Sequence, residues 1–111
     1  MSSSLVQIAK SQLAKLPEIT AMVVSDRSGA LIECSGELDG EAAAAVYAVT
    51  VEALVGAGEQ LGIGGLLSAS IGGRSSACVL GIHEQGVVAA HVDAGKPSNG
   101  VERKIETALR R

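Results

Sequence analysis

The spacing of apolar residues changes on either side of Pro17. Before it, Leu5, Ile8, Ala9, Leu13 and Leu16 recur at three- and four-residue intervals, with Lys10 and Lys15 off that face, which predicts an amphipathic helix over 4–16. Ser4 and Gln7 stand as a capping-box pair, and Pro17 stops the run. After it, 19–25 (ITAMVVS) and 30–35 (ALIECS) are short apolar segments around DRSG, whose Asp26 and Gly29 are turn formers. They predict a hairpin. Strict alternation in its second strand puts Ala30, Ile32 and Cys34 on one face and Leu31, Glu33 and Ser35 on the other.

The longest element runs from Asp39, an N-cap residue, to Leu61, with Gly62 to end it. After Glu41 its only polar side chains are Thr50, Glu52, Glu59 and Gln60, and Glu52 and Glu59 are seven apart on one narrow stripe. A helix otherwise apolar must be covered on more than one side. A sheet from the same short chain covers one side, so the side with Ala45, Ala48 and Gly56 is expected to meet another chain. The apolar run Ala42 to Gly58 is shorter than the roughly 20 residues of a membrane span, so it reads as a buried helix and no membrane partner is expected.

Three further strands follow, Leu66 to Ile71, Ser76 to His83 and Val87 to Asp93, joined by GGRS and EQG, loops short enough to demand antiparallel neighbours. In the first of them Leu67, Ala69 and Ile71 alternate with Leu66, Ser68 and Ser70. Asn99 with Glu102 caps a final helix whose apolar face is Val101, Ile105, Ala108 and Leu109. The predicted order is α-β-β-α-β-β-β-α, an α+β fold in one domain over residues 1–111, without internal repeats.

Composition narrows the functional classes. With 14 Gly, one Tyr and neither Phe nor Trp, the core must be built from Ala, Val, Leu and Ile, which lets backbones approach closely. A net charge of −3 with no basic stripe argues against nucleic acid, because binding it takes clustered Lys and Arg. Arg103, Lys104, Arg110 and Arg111 gather at the C-terminus, where they read as a solvated helix end. Cys34 and Cys78 are too far apart for a metal or redox pair and are expected as buried reduced thiols. MSSSLVQIAK lacks the basic start and apolar run of a secretory signal, so a cytoplasmic protein is expected.

Candidate chemistry is sparse. HVDAGKPSNG, residues 91–100, imitates a phosphate-binding loop, but Ala90 replaces its first glycine and Pro97 its hydroxyl residue, so it reads as a loop between strand and helix. His83 and His91, with Asp93 or Glu84, could be imagined as metal ligands, but the expectation is sheet histidines without a metal. Ser75 and Ser76 beside Arg74 read as a hairpin turn, and Arg27 and Arg74 as solvated turn arginines. No enzyme activity, cofactor or metal is expected.

The hairpin AMVVSDRSGALIECSG, the helix opening LDGEAAAAVYA, and the strands GGLLSASIGG, SACVLGI and GVVAAHVD together resemble the Roadblock family, the superfamily of dynein light chains and small-GTPase regulators, along nearly the whole chain. The resemblance implies a five-stranded antiparallel sheet sandwiched between the long central helix and the two terminal helices. It also implies a two-fold homodimer in which the strand Leu66 to Ile71 pairs with its copy and the long helices lie side by side. The expected dimer residues are Ala45, Ala48, Glu52, Gly56, Leu66, Ser68 and Ser70. The implied function is that of a stand-alone prokaryotic member similar to gliding-motility regulators, binding a Ras-like small GTPase, with Glu41, Glu52 and Glu59 as partner-binding rim. Two other readings stay open: an adaptor joining other Roadblock-domain, polarity or cytoskeletal proteins, and a profilin-like ligand sensor, the latter disfavoured by the lack of aromatic residues.

Overall fold

The computed structural model describes residues 2–13, 16–93 and 99–110. Helix α1, Ser2–Ile8, continues into a wider π-helical turn, Ala9–Leu13. Strands β1, Ile19–Ser25, and β2, Leu31–Ser35, form a hairpin. Helix α2, Gly40–Leu61, leads to strands β3, Ser68–Gly72, β4, Ser76–His83, and β5, Gly86–Asp93, and the last element is helix α3, Asn99–Leu109. The element order is therefore the expected one. All strand pairs are antiparallel in the order β2-β1-β5-β4-β3.

The two sheet faces carry different layers. On one, Leu5, Ala9 and Leu13 join Val101, Ile105 and Leu109 of α3 over Met22, Val24, Val79, Val88, Ala90 and Val92. The other face is thinner. There Ala44, Tyr47 and Val51 of α2 meet Val23, Leu80, Val87 and Ala89. Each fully buried Val or Leu contributes roughly 1.5–3 kcal/mol by leaving water, so without large aromatics many such residues must be buried together. β5 alternates Val87 and Ala89 toward α2 with Val88, Ala90 and Val92 toward α3 and is buried on both faces.

Helix α2 has the predicted ends. Asp39 stays extended and accepts from the Ala42 amide at 3.2 Å, and Gly62, at φ 67°, sends its N–H to Glu59. Among the described residues it is also the one helix long and apolar enough to cross a membrane, so its length exceeds the short run read from Ala42 to Gly58. Its buried stripe against the sheet makes it a layer of this fold.

Several local expectations are corrected. The N-terminal helix changes pitch at Ala9, where Ser11 Oγ donates to the Gln7 carbonyl at 2.6 Å and the wider turn brings Leu13 back over Leu5 and Ala9. Residues 14 and 15 and the Ser4 side chain lie outside the described set. In β2, Val24 pairs with Glu33 and Ser25 with Leu31, leaving Ile32 as the extra residue of a β-bulge. Strict alternation fails there: Ile32 packs with the α1 and α3 layer, where Glu33 also reaches Lys10 at 2.6 Å, while Leu31 packs toward α2. Cys34, expected buried, is exposed, because it sits near the end of an edge strand. α3 begins at Asn99, whose side chain lies outside the described set, and Glu102 accepts from Ser68 Oγ at 2.8 Å. The strand predicted from Leu66 starts at Ser68.

α3 approaches β4 closely because Gly81 has no side chain. A Cβ there would stand 2.7 Å from Leu109 Cδ1 and closer still to Ile105 Cγ2. Gly81→Ala is therefore expected to lower stability by about 1–3 kcal/mol in urea unfolding, the usual cost of overpacking, without changing the fold.

Candidate interaction surface

Because α2 packs chiefly across β2, β1 and β5, it leaves the β3 side of that sheet face uncovered. Its buried stripe is Gly40, Ala44, Tyr47, Ala48, Val51 and Gly58. On the opposite side Val46 is 60% and Val49 72% exposed, and Ala42, Ala45, Ala53 and Ala57 are exposed with them. At its C-terminal end Leu61 and Ile63 are 73% and 62% exposed, and a groove of about 580 Å³ runs between Val55, Glu59, Gly62, Gly64, Gly65 and Leu66. Across the sheet, Leu67 and Ile71 are also open to solvent. Apolar side chains of this size on one side of a small domain mark an interaction surface.

The two sheet edges differ in kind. β2 is bulged and carries Glu33, features that discourage a new strand from pairing. β3, with sequence SASIG, has no charge, no proline and unbroken register with β4 over all five residues. Its outer backbone groups can accept another strand.

The expected interface residues fall in different places. Ala45 is exposed and Gly56 half-buried on the open flank of α2. Ala48 is buried beneath the β1–β2 turn, so close to Gly29 that a Cβ on that glycine would be 3.3 Å away, and it does not line the open flank. Leu66 is half-buried in the loop before β3. Ser68 turns its hydroxyl to Glu102 and Glu106 on the α3 side, and Ser70 is exposed. Glu41, Glu52 and Glu59, spaced by eleven and seven, line one exposed stripe beside the apolar flank. Arg27 from the hairpin turn donates to Glu52 at 2.8 Å, which holds the turn against α2 and offsets one of the three charges. Val46 and Val49 were missed. Their signal was the recurrence of Ala42, Val46, Val49 and Ala53 opposite Ala44 and Val51.

A polar cluster lies under α2. The Tyr47 hydroxyl meets His91 Nε2, and Cys78 Sγ donates to the Tyr47 oxygen at 3.6 Å. His91 and Cys78 are cross-strand partners on β5 and β4, so this cluster fastens α2 to the sheet centre. Burial lowers the His91 pKa below 6.5 and keeps the ring neutral. Burial also raises the Tyr47 hydroxyl and, more than the Tyr47 hydrogen bond opposes, the Cys78 thiol, which makes Cys78 a poor nucleophile near neutrality. His91 also borders an open cleft of about 430 Å³ with Thr20, Glu37, Leu38 and Ser76. Among the described residues no group of three or more His, Cys, Asp or Glu side chains could hold a metal ion. His83 Nδ1 accepts from the Gln85 amide at 3.1 Å, and Arg74 and Ser75 are exposed in a turn closed by the Gly73 N–H on the Ser76 carbonyl. Residues 94–98 of the imitation phosphate loop, Gly95 and Lys96 among them, lie outside the described residues.

Solved structures share this architecture. MglB of Myxococcus xanthus aligns at a TM-score of 0.75 and 18% identity, over 98% of this chain and 88% of its own. A Roadblock/LC7 domain of Streptomyces avermitilis aligns at 0.75 and 13% identity, over 99% and 92%. The gliding protein MglB of Thermus thermophilus aligns at 0.76 and 15%, over 97% and 87%. No protein-family model matches the sequence, and a search of curated proteins finds no match. The fold is thus Roadblock-like and of the MglB type.

The His91 shift has a definite sign. Above pH 6.5 the histidine is neutral folded and unfolded; below 6.5 the unfolded chain takes up a proton that the buried ring resists, so stability falls with acidification. The carboxylate of Asp26, held below its usual 3.8 by the Ser28 hydroxyl and the Ala30 amide, acts only in more acid solution. Urea titrations from pH 8 downward are expected to lose stability from about 6.5, and His91→Gln is expected to flatten that limb.

Proposed function

We propose that the chain is a non-enzymatic, cytoplasmic homodimeric module that binds a Ras-like small GTPase and regulates or scaffolds it. The observation that carries this reading is the exposed apolar flank of α2, with Val46 and Val49 in solvent, in a chain whose uncharged strand β3 forms one edge of the sheet. A two-fold axis beside β3 lets that strand pair with its copy and brings two α2 flanks together, and one self-complementary patch serves both subunits. In this arrangement Ala45, Val46, Val49 and Gly56 meet their copies, β3 contributes Ser68 and Ser70 through its backbone, and Leu66 sits at the entrance to the pairing strand. Glu41 and Glu59 remain at the rim, where a GTPase docks.

The likeness to MglB and to the Roadblock/LC7 domain supports the reading, as does an MglB solved in a tetrameric arrangement, which aligns at a TM-score of 0.70. The poorly nucleophilic Cys78 and the structural tie of His91 give no support to catalysis by the chain itself.

Light scattering is expected to give twice the 11.1 kDa chain mass, and Val49→Glu, at a solvent-exposed position, to give a folded monomer. With a Ras-like GTPase, the wild type should co-elute and change the rate of GTP hydrolysis. Neither co-elution nor a rate change across candidate GTPases would leave the adaptor reading in its place.

A further inference from the structure

The sheet separates opposite charges. No Lys or Arg stands between Arg27 and Arg74, a stretch that holds Glu33, Glu37, Asp39, Glu41, Glu52 and Glu59. Helix α2 displays the last three of these on one exposed stripe. On the far side of the sheet α3 shows the reverse. Its acids, Glu102 and Glu106, are drawn to Ser68, leaving Arg103, Lys104 and Arg110 exposed with Thr107 between them. Arg103, Lys104 and Thr107 border an open groove of about 460 Å³ whose floor includes Ala108.

The two rows also match in spacing. Glu52 and Glu59 are seven residues apart on α2, and Arg103 and Arg110 are seven apart on α3, about 10 Å of helix rise in each case. The ion pairs these groups make within the chain are open to solvent: Arg27 with Glu52 at 2.8 Å, Lys104 with Glu18 at 3.9 Å and Arg110 with Glu106 at 3.8 Å. Such pairs hold weakly and can be exchanged.

We propose that copies of this chain associate head to tail, the basic outer row of α3 on one copy seating against the acidic stripe of α2 on the next. The two surfaces lie on opposite sides of the sheet, so the contact is heterologous and its repetition builds an open row unless the rotation closes it. This contact is additional to the two-fold pairing at β3 and does not rest on a GTPase partner. Between copies of net charge −3, approach of one acidic face to another is repulsive, whereas the α3-to-α2 orientation brings opposite rows together.

Sedimentation velocity on the full chain tests this over a concentration series in about 0.02 M and about 0.5 M salt, where charges are screened over roughly 20 Å and roughly 4 Å. The mean mass is expected to climb with concentration in low salt and to return to the starting unit in high salt. Arg103→Glu with Arg110→Glu should lose the climb, and so should Glu52→Lys with Glu59→Lys. An equimolar mixture of the two variants should regain it, because each reversed row then meets its complement. A mass independent of salt in the unmodified chain, a climb that survives both reversals, or a mixture of folded variants that stays dissociated would overturn the proposal.

Discussion

Strand β5 is buried on both faces from Gly86 to Ala90, and both halves of the sheet are hydrogen-bonded to it. Its alternation of Val and Ala requires a helical layer on each side, one drawn from the two ends of the chain and the other from its middle. α1 and α3 close one side, with Gly81 allowing Ile105 and Leu109 to approach the backbone. α2 must close the other while also carrying the chain from the β2 edge to the β3 edge. These requirements tie the position of every other element to one buried strand.

Covering β5 does not use all of α2. Its inner stripe of Gly, Ala, Val and Tyr is satisfied by the sheet, while Val46 and Val49 are left in solvent, because the layer is one helix wide and the sheet is five strands across. The exposed apolar flank follows from this geometry. At the opposite edge the bulge at Ile32 and the charge of Glu33 limit strand pairing, so the sheet has one receptive end. The molecule therefore has direction, both in its edges and in the separation of acidic α2 from basic α3.

The main elements were legible because their signals are local and strong. Asp39 and Gly62 mark α2 within a residue, and β1 and β4 have the bounds that their apolar runs imply. What sequence hid depends on contacts distant along the chain. Nothing near Ile32 announces a bulge, which is set by pairing with β1, and alternation then assigned Glu33 and Cys34 to the wrong faces. Ala48 looks like Ala45 in a run of alanines; only the position of the Gly29 turn shows which is covered. The Tyr47, His91 and Cys78 cluster joins three elements up to 44 residues apart and leaves no spacing signature. Glu102 carried a capping signal, and nothing in its spacing announced the serine of β3 that donates to it.

Tyr47 is the sole aromatic residue of the chain, and it sits where α2 meets β4 and β5. The protein is consequently almost transparent at the wavelengths used to measure most proteins, and all of its near-ultraviolet signal from aromatic rings originates at one point. That point lies against an imidazole and a thiol, both able to alter the emission of a nearby phenol. The chain thus carries a single-site optical label, placed by its own fold, on the seam between the interaction helix and the sheet.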